Sequence, residues 1–239
     1  VSAAELAKLE REIVRCERCP RLREWCEEVA RTKRKSFANE TYWGKPVPGF
    51  GDPKARIWIL GLAPAAHGAN RTGRMFTGDK SGEFLYAALH RAGFASQPNS
   101  DSRDDGMVLK GVWISAAGRC APPANKPTPE ELSTCSEFLD RERKALSEVR
   151  VILALGAIAW DATLALLSRA GATIPKPRPK FGHGAHIELG GLQLLGCYHV
   201  SQQNTFTGKL TPKMLEKVLL AASSDLNRGG GYDRRGTQV

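Results

Sequence analysis

Residues 56–82, RIWILGLAPAAHGANRTGRMFTGDKSG, constrain the fold more than any other part of the chain. Ile57-Trp58-Ile59-Leu60 is an apolar run of branched and aromatic residues that suits a strand buried on both faces. It breaks into small residues and turn formers, Gly61, Ala63, Pro64, Ala65, Ala66, Gly68, Gly73 and Gly78, with His67, Asn70, Arg71, Arg74, Phe76 and Asp79 threaded among them. A helix restarts at Ser81, with Phe84, Leu85, Ala88 and Leu89 on one face. A buried strand that ends in a long Gly/Ala loop sets backbone and short side chains at the carboxyl edge of a sheet, where open α/β folds bind ligands. A loop longer than about a dozen residues is uncommon in a compact domain and usually functional. The plainer alternative is an irregular connection with no ligand.

The same pattern repeats down the chain. Val112–Ala116, Val151–Leu155 and Leu192–Tyr198 read as further buried strands, with His186–Leu189 as a short one, and helical periodicity separates most of them. Helices are predicted over 3–15, around Leu22–Val29, from Thr128 or Pro129 to about Leu146, from Gly156 to Ser168, and from Thr211 onward. Arg31–Lys35 holds four basic residues in five, and Pro175–Lys180 alternates proline with basic residues as a stiff arm. Strands alternating with helices argue a parallel sheet flanked by helices. No repeat or linker divides the chain, so 1–227 is expected to form one domain and the Gly/Arg-rich tail 228–239 to be disordered.

With 35 Lys+Arg against 25 Asp+Glu, the formal charge of +10 suits a polyanionic partner, though simple solubility would also account for it. No apolar run reaches the length of a membrane span and the start carries no signal-peptide core, so a cytoplasmic monomer away from membranes is expected. The six cysteines are too few for a disulfide scaffold. Cys16-x2-Cys19 would let two thiolates reach one centre from a single turn, and Cys120-x14-Cys135 would complete four-sulfur coordination of an iron–sulfur cluster or a structural zinc. The wide second pair departs from a zinc ribbon and favours a cluster. Buried thiols throughout are the plain alternative; Cys26 and Cys197 sit in apolar patterns and read that way.

Three segments, GLAPAAHGANRTGRMFTGD at 61–79, GRCAPPANKPTP at 118–129 and HVSQQNT at 199–205, together with the early CxxC, resemble the uracil-DNA glycosylase superfamily, and most closely its iron–sulfur-bearing family 5. The resemblance runs from Cys16 to the last helix. It implies an α/β/α sandwich around a four-stranded parallel sheet and a [4Fe–4S] cluster on Cys16, Cys19, Cys120 and Cys135. It also implies damaged DNA as the partner, with deaminated bases removed by cleavage of the N-glycosidic bond.

The residues suit that chemistry. A base cannot be attacked within the stack, so its nucleotide must flip into a snug pocket. Phe76 offers a flat stacking face, and the Gly61, Leu62, Ala63 and Ala65 turn lets backbone approach a base edge. His199 matches the family's donor to the departing base, while Gln202, Gln203 and Asn204 would form the loop that fills the gap in the duplex. Asp79 is the first candidate for orienting water, against an N-cap role for the helix at Ser81. Asn125 is a second candidate, against a plain turn role. Arg71 and Arg74 are expected to meet phosphate or shape the loop. In the sister family 4 a glutamate stands where this chain has Leu62, and a base-reading asparagine where it has Ala116. A pocket with fewer polar groups discriminates less strictly. Hypoxanthine and modified pyrimidines are therefore expected beside uracil, with no lyase activity. The rivals are a lesion-binding module that has lost catalysis and a dinucleotide-binding oxidoreductase; Gly61-Leu62-Ala63-Pro64 is not the phosphate turn the latter needs.

Overall fold

The computed structural model describes residues 2–228. The tail expected to be disordered lies, from Gly229 on, outside them. The elements in order are α1 (Ser2–Val14), α2 (Pro20–Thr32), β1 (Phe50–Gly51), β2 (Ile57–Gly61), α3 (Ala69–Thr72), α4 (Lys80–Arg91), β3 (Val112–Ala116), α5 (Pro129–Ala145), β4 (Val151–Leu155), α6 (Ala157–Arg169), β5 (His186–Leu189), β6 (Leu192–Cys197), α7 (Gln202–Phe206) and α8 (Pro212–Arg228).

The sheet has six strands in the order β1-β3-β2-β4-β6-β5. Its four central strands, β3, β2, β4 and β6, pair in parallel, as expected. The four-strand expectation omits two short antiparallel edges, β1 on β3 and β5 on β6. The Phe50–Gly51 edge is too short for an alternating pattern to show, and it sits in a stretch dense in turn formers. The β5 edge was legible as a strand; its sheet membership was not.

Alternation along the central strands builds two cores. Ile57, Ile59, Ile114, Leu153 and Leu195 face α4 and α8, with Leu85, Leu89, Leu215 and Leu219. Trp58, Leu60, Ile152 and Leu194 face α5 and α6, with Leu139, Trp160 and Leu164. This is the three-layer sandwich. A strand buried on both faces gains little from edge solvation and much from burial, which is why these runs are nearly all Val, Ile, Leu and Trp.

Helix α5 starts on a capping box: Glu131 N donates to Thr128 Oγ1 and Thr128 N donates to Glu131 Oε2. Arg21 of α2 then reaches Glu131, at 2.8 and 2.7 Å, and Lys126 O at 3.3 Å. Arg18 bonds Glu137 at 2.7 Å, and Arg141 pairs with Glu12. These ties dock both N-terminal helices onto the Cys120 loop and α5.

Candidate active site

Strands β2, β3 and β6 end at one edge of the sheet, which brings Gly61, Ala116 and the segment leading to His199 together. Gly61 lies in register with Ala116, and the pairing continues past the strand ends, with Ala117 N bonding Gly61 O at 3.0 Å and Gly118 N bonding Leu62 O at 2.8 Å. Above this floor stands Phe76. Its Cζ would come within 2.8 Å of a Cβ placed on Gly61, so the ring lies directly on a backbone that must be glycine. Phe76 itself has φ +52°, a left-handed conformation that is uncommon for a bulky residue and marks a functional constraint. Its ring centroid is 6.2 Å from that of His199, at an interplanar angle of 39°. Leu62, Ala63 and Ala65 are half-buried beside it, and Ala116 is fully buried below.

Burial alone pushes the His199 pKa down, so the ring is held neutral near pH 7, where one ring nitrogen carries a proton it can donate. Its backbone is fixed from behind: Asn204 Nδ2 donates to His199 O at 2.8 Å. Asn204 is therefore turned inward, its amide engaged by the His199 carbonyl. Gln202 and Gln203, on the same short helix, are exposed.

Asp79 proves to be the N-cap of α4, its Oδ1 accepting from Gly82 N at 2.9 Å. Its second oxygen points at Gly68, where a Cβ would stand only 2.0 Å from Oδ2. Burial raises the Asp79 pKa against the two backbone N–H groups and Arg71 that lower it. The cap thus engages Oδ1, while Oδ2 lies against the Gly68 backbone.

Arg71 and Arg74 are buried and engaged within the chain. Arg71 bonds His67 O at 2.9 Å and Gly78 O at 2.6 Å, pairs with Glu40, and stacks 3.9 Å over the Phe37 ring. Arg74 makes a two-pronged pair with Asp105 at 2.8 and 2.6 Å, and adds Thr77 Oγ1 and Ser100 Oγ, each at 2.9 Å. Both guanidinium groups are turned inward and shape the loop, and every N–H of Arg74 is taken. His67 completes the frame through Tyr42 Oη at 2.9 Å. Asn125 is exposed at φ +56°, in a turn after Ala124 at φ +52°, and no contact joins it to Phe76, Asp79 or His199. Its turn role is the one the geometry supports.

On the other side of the Cys120 loop, Cys16, Cys19, Cys120 and Cys135 lie within electrostatic reach of one another. Burial raises the Cys19 thiol to about 11, with Cys135, Cys120 and Cys16 adding to the rise. Among the described residues no three His, Cys, Asp or Glu side chains are gathered as ligands of one ion. Around them sit buried cations with unused donors: Arg23 Nε, Arg119 Nε and Arg119 Nη1 have no hydrogen-bond partner. Four thiols ringed by unsatisfied guanidinium N–H groups fit an anionic iron–sulfur cluster, whose sulfurs accept such bonds. Cys26, a fifth cysteine, is buried against this group with its Sγ 3.5 Å from Ala121 O.

Residues 48–222 match the Uracil DNA glycosylase superfamily model. The chain belongs to the uracil-DNA glycosylase superfamily. Within this superfamily, it is 54% identical over 222 residues to the Type-5 uracil-DNA glycosylase of Mycobacterium bovis, covering 92% of this chain and 81% of that protein. It is 55% identical over 208 residues to the Type-5 enzyme of Thermus thermophilus, covering 87% and 92%. Likeness to the Type-4 uracil-DNA glycosylase of Pyrobaculum aerophilum is lower, 29% over 199 residues, covering 82% of each chain. The superfamily match embraces the Phe76, Asp79 and His199 site in full.

Several supporting residues were not found from sequence. Tyr42, Ser100 and Asp105 act through contacts between distant segments, and nothing local marks them. Gly68 is the exception: a glycine eleven residues before the helix cap Asp79, within a long strand-end loop, signals a close backbone approach.

Proposed function

We propose that a base flipped out of DNA enters between Phe76 and His199, with its edge against the Gly61–Ala65 backbone. The chain is a DNA-repair glycosylase that removes uracil from DNA. What supports this pocket above all is Phe76, held in a strained backbone conformation with its ring on Gly61 and facing His199.

As the N-glycosidic bond breaks, its electron pair leaves with the base and positive charge builds on the sugar. Neutral His199 donates a hydrogen bond to the base oxygen where negative charge collects. In a buried setting that bond is worth more than in water. The Asp79 carboxylate faces the cation and accepts a proton from water, whose oxygen bonds to the sugar carbon. The departing base anion takes its proton afterwards from solvent. No lysine of the site is placed to form a Schiff base, so the product is an intact abasic strand.

Cys16, Cys19, Cys120 and Cys135 are the residues that would hold a [4Fe–4S] cluster. When bound, it supplies thiolate–iron bonds that cross-link α2 and the Cys16 turn to the Cys120 loop and α5. Arg23 and Arg119 would donate their unused N–H groups toward it. Leu62 and Ala116 leave the base edge with few side-chain polar partners, so the pocket accepts hypoxanthine and modified pyrimidines as well as uracil.

Strand scission on duplexes carrying one uracil or one hypoxanthine tests both levels. Cleavage of both, only after alkali, is the expected result. Cleavage of uracil alone would end the account of specificity based on Leu62 and Ala116, and scission without alkali would end the account of a monofunctional enzyme.

A further inference from the structure

The stiff basic arm seen in the sequence has no part in the site described above, yet the fold pins its return to the residue before His199. Trp160 Nε1 donates to Pro179 O at 3.0 Å, fixing the arm at its end. The next residue but one, Phe181, packs against both Trp160 and Tyr198, each at a centroid distance of 6.2 Å. Gly182 O approaches β6 so closely that a Cβ on Gly196 would stand 2.4 Å from it. His183 then stacks on Tyr198 with ring centroids 5.1 Å apart, and Tyr198 N donates to His183 Nδ1 at 3.3 Å.

Cations gather around this stack. Lys180 is exposed between Pro179 and Phe181. Lys209, from the turn after α7, holds its Nζ 5.0 Å over the Tyr198 ring. Lys217 of α8 is close enough that its charge adds to burial in lowering the His183 pKa. All three lysines are exposed, and none has a carboxylate at ion-pair distance among the described residues. Arg178 differs: it already pairs with Asp161 at 3.5 Å. Long cationic side chains left unpaired beside an aromatic shelf suit a backbone phosphate, which needs a point charge and no side-chain specificity.

We propose that Lys180, Lys209 and Lys217 form a phosphate rail, which grips the DNA backbone beside the extruded nucleotide on the His199 side of the pocket. The inference rests on the glycosylase reading for its ligand. The rail supplies the sequence-independent grip that the buried Arg71 and Arg74 do not. It is rigid before DNA arrives, because proline and the Phe181–Tyr198–His183 stack fix its backbone, so little ordering entropy is lost on binding.

The test is fluorescence anisotropy of the full chain with a duplex carrying a tetrahydrofuran abasic analogue, titrated at several salt concentrations. Its comparison is a Lys180→Gln/Lys209→Gln/Lys217→Gln variant. A control variant carries Lys54→Gln, Lys110→Gln and Lys144→Gln, exposed lysines that precede β2, β3 and β4 at the opposite, amino-terminal edge of the sheet and remove the same net charge. Each phosphate contact contributes about 0.9 to the slope of log K against log salt, so the rail variant should lose roughly 2 to 3 from the slope and the control little. On a uracil duplex the rail variant should raise KM and keep kcat. An unchanged slope, or an equal loss in the control, would overturn the rail while leaving the glycosylase intact. Failure of the unaltered chain to bind the duplex at all would overturn both.

Discussion

Asp79 caps α4 through Oδ1 and, in the mechanism proposed above, also takes a proton from water; a pair of substitutions takes the two roles apart. Asp79→Ala removes the Oδ1 bond to Gly82 N and the charge; Asp79→Asn keeps a capping oxygen and removes the charge alone. Losing an N-cap costs about 0.5–2 kcal/mol, and 1 kcal/mol moves Tm by about 2–4 °C in a chain of this size. Asp79→Ala should therefore melt a few degrees lower. Asp79→Asn should not. Burial raises the folded pKa of Asp79, so its protonated form is favoured by folding. The stability linked to that proton is complete below the unfolded pKa and is lost as pH rises through the folded one. At neutral pH the charge is a net cost, and Asp79→Asn should be as stable as the parent or more so, by a margin that grows from acid toward neutral pH. Activity should behave differently. A positioned carboxylate that takes a proton from water is worth about 10²–10⁴ in rate, or roughly 3–5 kcal/mol. Both variants should lose that factor in single-turnover reactions on a uracil duplex at saturating enzyme, where binding and product release do not intervene. The parent's rate should fall on the acid side at a pH above the ordinary carboxylate value. Asp79→Asn turning over at the parental rate would refute the catalytic assignment and leave Asp79 a cap.

Gly61→Ala would set a Cβ 2.8 Å from Phe76 Cζ; overpacking of this kind costs about 1–3 kcal/mol, and moving the ring should cut kcat/KM at least tenfold in steady-state assays. Glu142→Gln would leave the buried Arg119 without its carboxylate, and urea unfolding should show a loss of about 3–5 kcal/mol, against near-parental values for surface controls. Cys120→Ser should abolish the visible absorbance of an iron–sulfur cluster and lower iron per chain, while a colourless parent containing zinc would reject the cluster. His199 is held neutral by burial, so the residual activity of Asp79→Asn, in which no carboxylate titrates at this position, should persist into mildly acidic pH below the ordinary histidine value, and a fall there would argue against it.

What the sequence made legible was local. The four central strands were legible because burial on both faces leaves unbroken apolar runs, and α5 because Thr128 and Glu131 sit three residues apart. The long loop and the CxxC were legible because glycine, proline and cysteine carry their geometry with them. The fate of Arg71 and Arg74 was not, since an arginine in a strand-end loop reads the same whether it meets phosphate or Asp105, and Asp105 is 31 residues away. The Asn204 contact was hidden in the same way: only the folded turn shows its amide directed back at the His199 carbonyl. The edge strand β1 was hidden because two residues cannot display a period, and Phe76 gave no hint of its backbone conformation.

The buried arginines account for a tension in the site. A chain with a surplus of cations places its two arginines nearest the pocket where their charges are neutralised, by Glu40 and by Asp105. The purpose is mechanical. Phe76 holds an uncommon left-handed conformation that costs on the order of 1–3 kcal/mol, and such a conformation persists only where its surroundings over-determine it. Arg74 supplies that constraint on one side, clamping Thr77, Ser100 and Asp105 together just beyond the ring; Arg71 supplies it on the other, binding Gly78 O and His67 O across the loop. The stacking face is thus in place before a base arrives, and no binding energy is diverted to order it. Pairing those arginines with Glu40 and Asp105 also limits the fixed positive charge a ligand in the pocket would meet, although Arg71 still works against burial in lowering the Asp79 pKa. On the readings proposed above, the attraction for DNA falls to lysines outside the pocket, where salt can screen them, and the chemistry inside to one neutral histidine and one capped carboxylate.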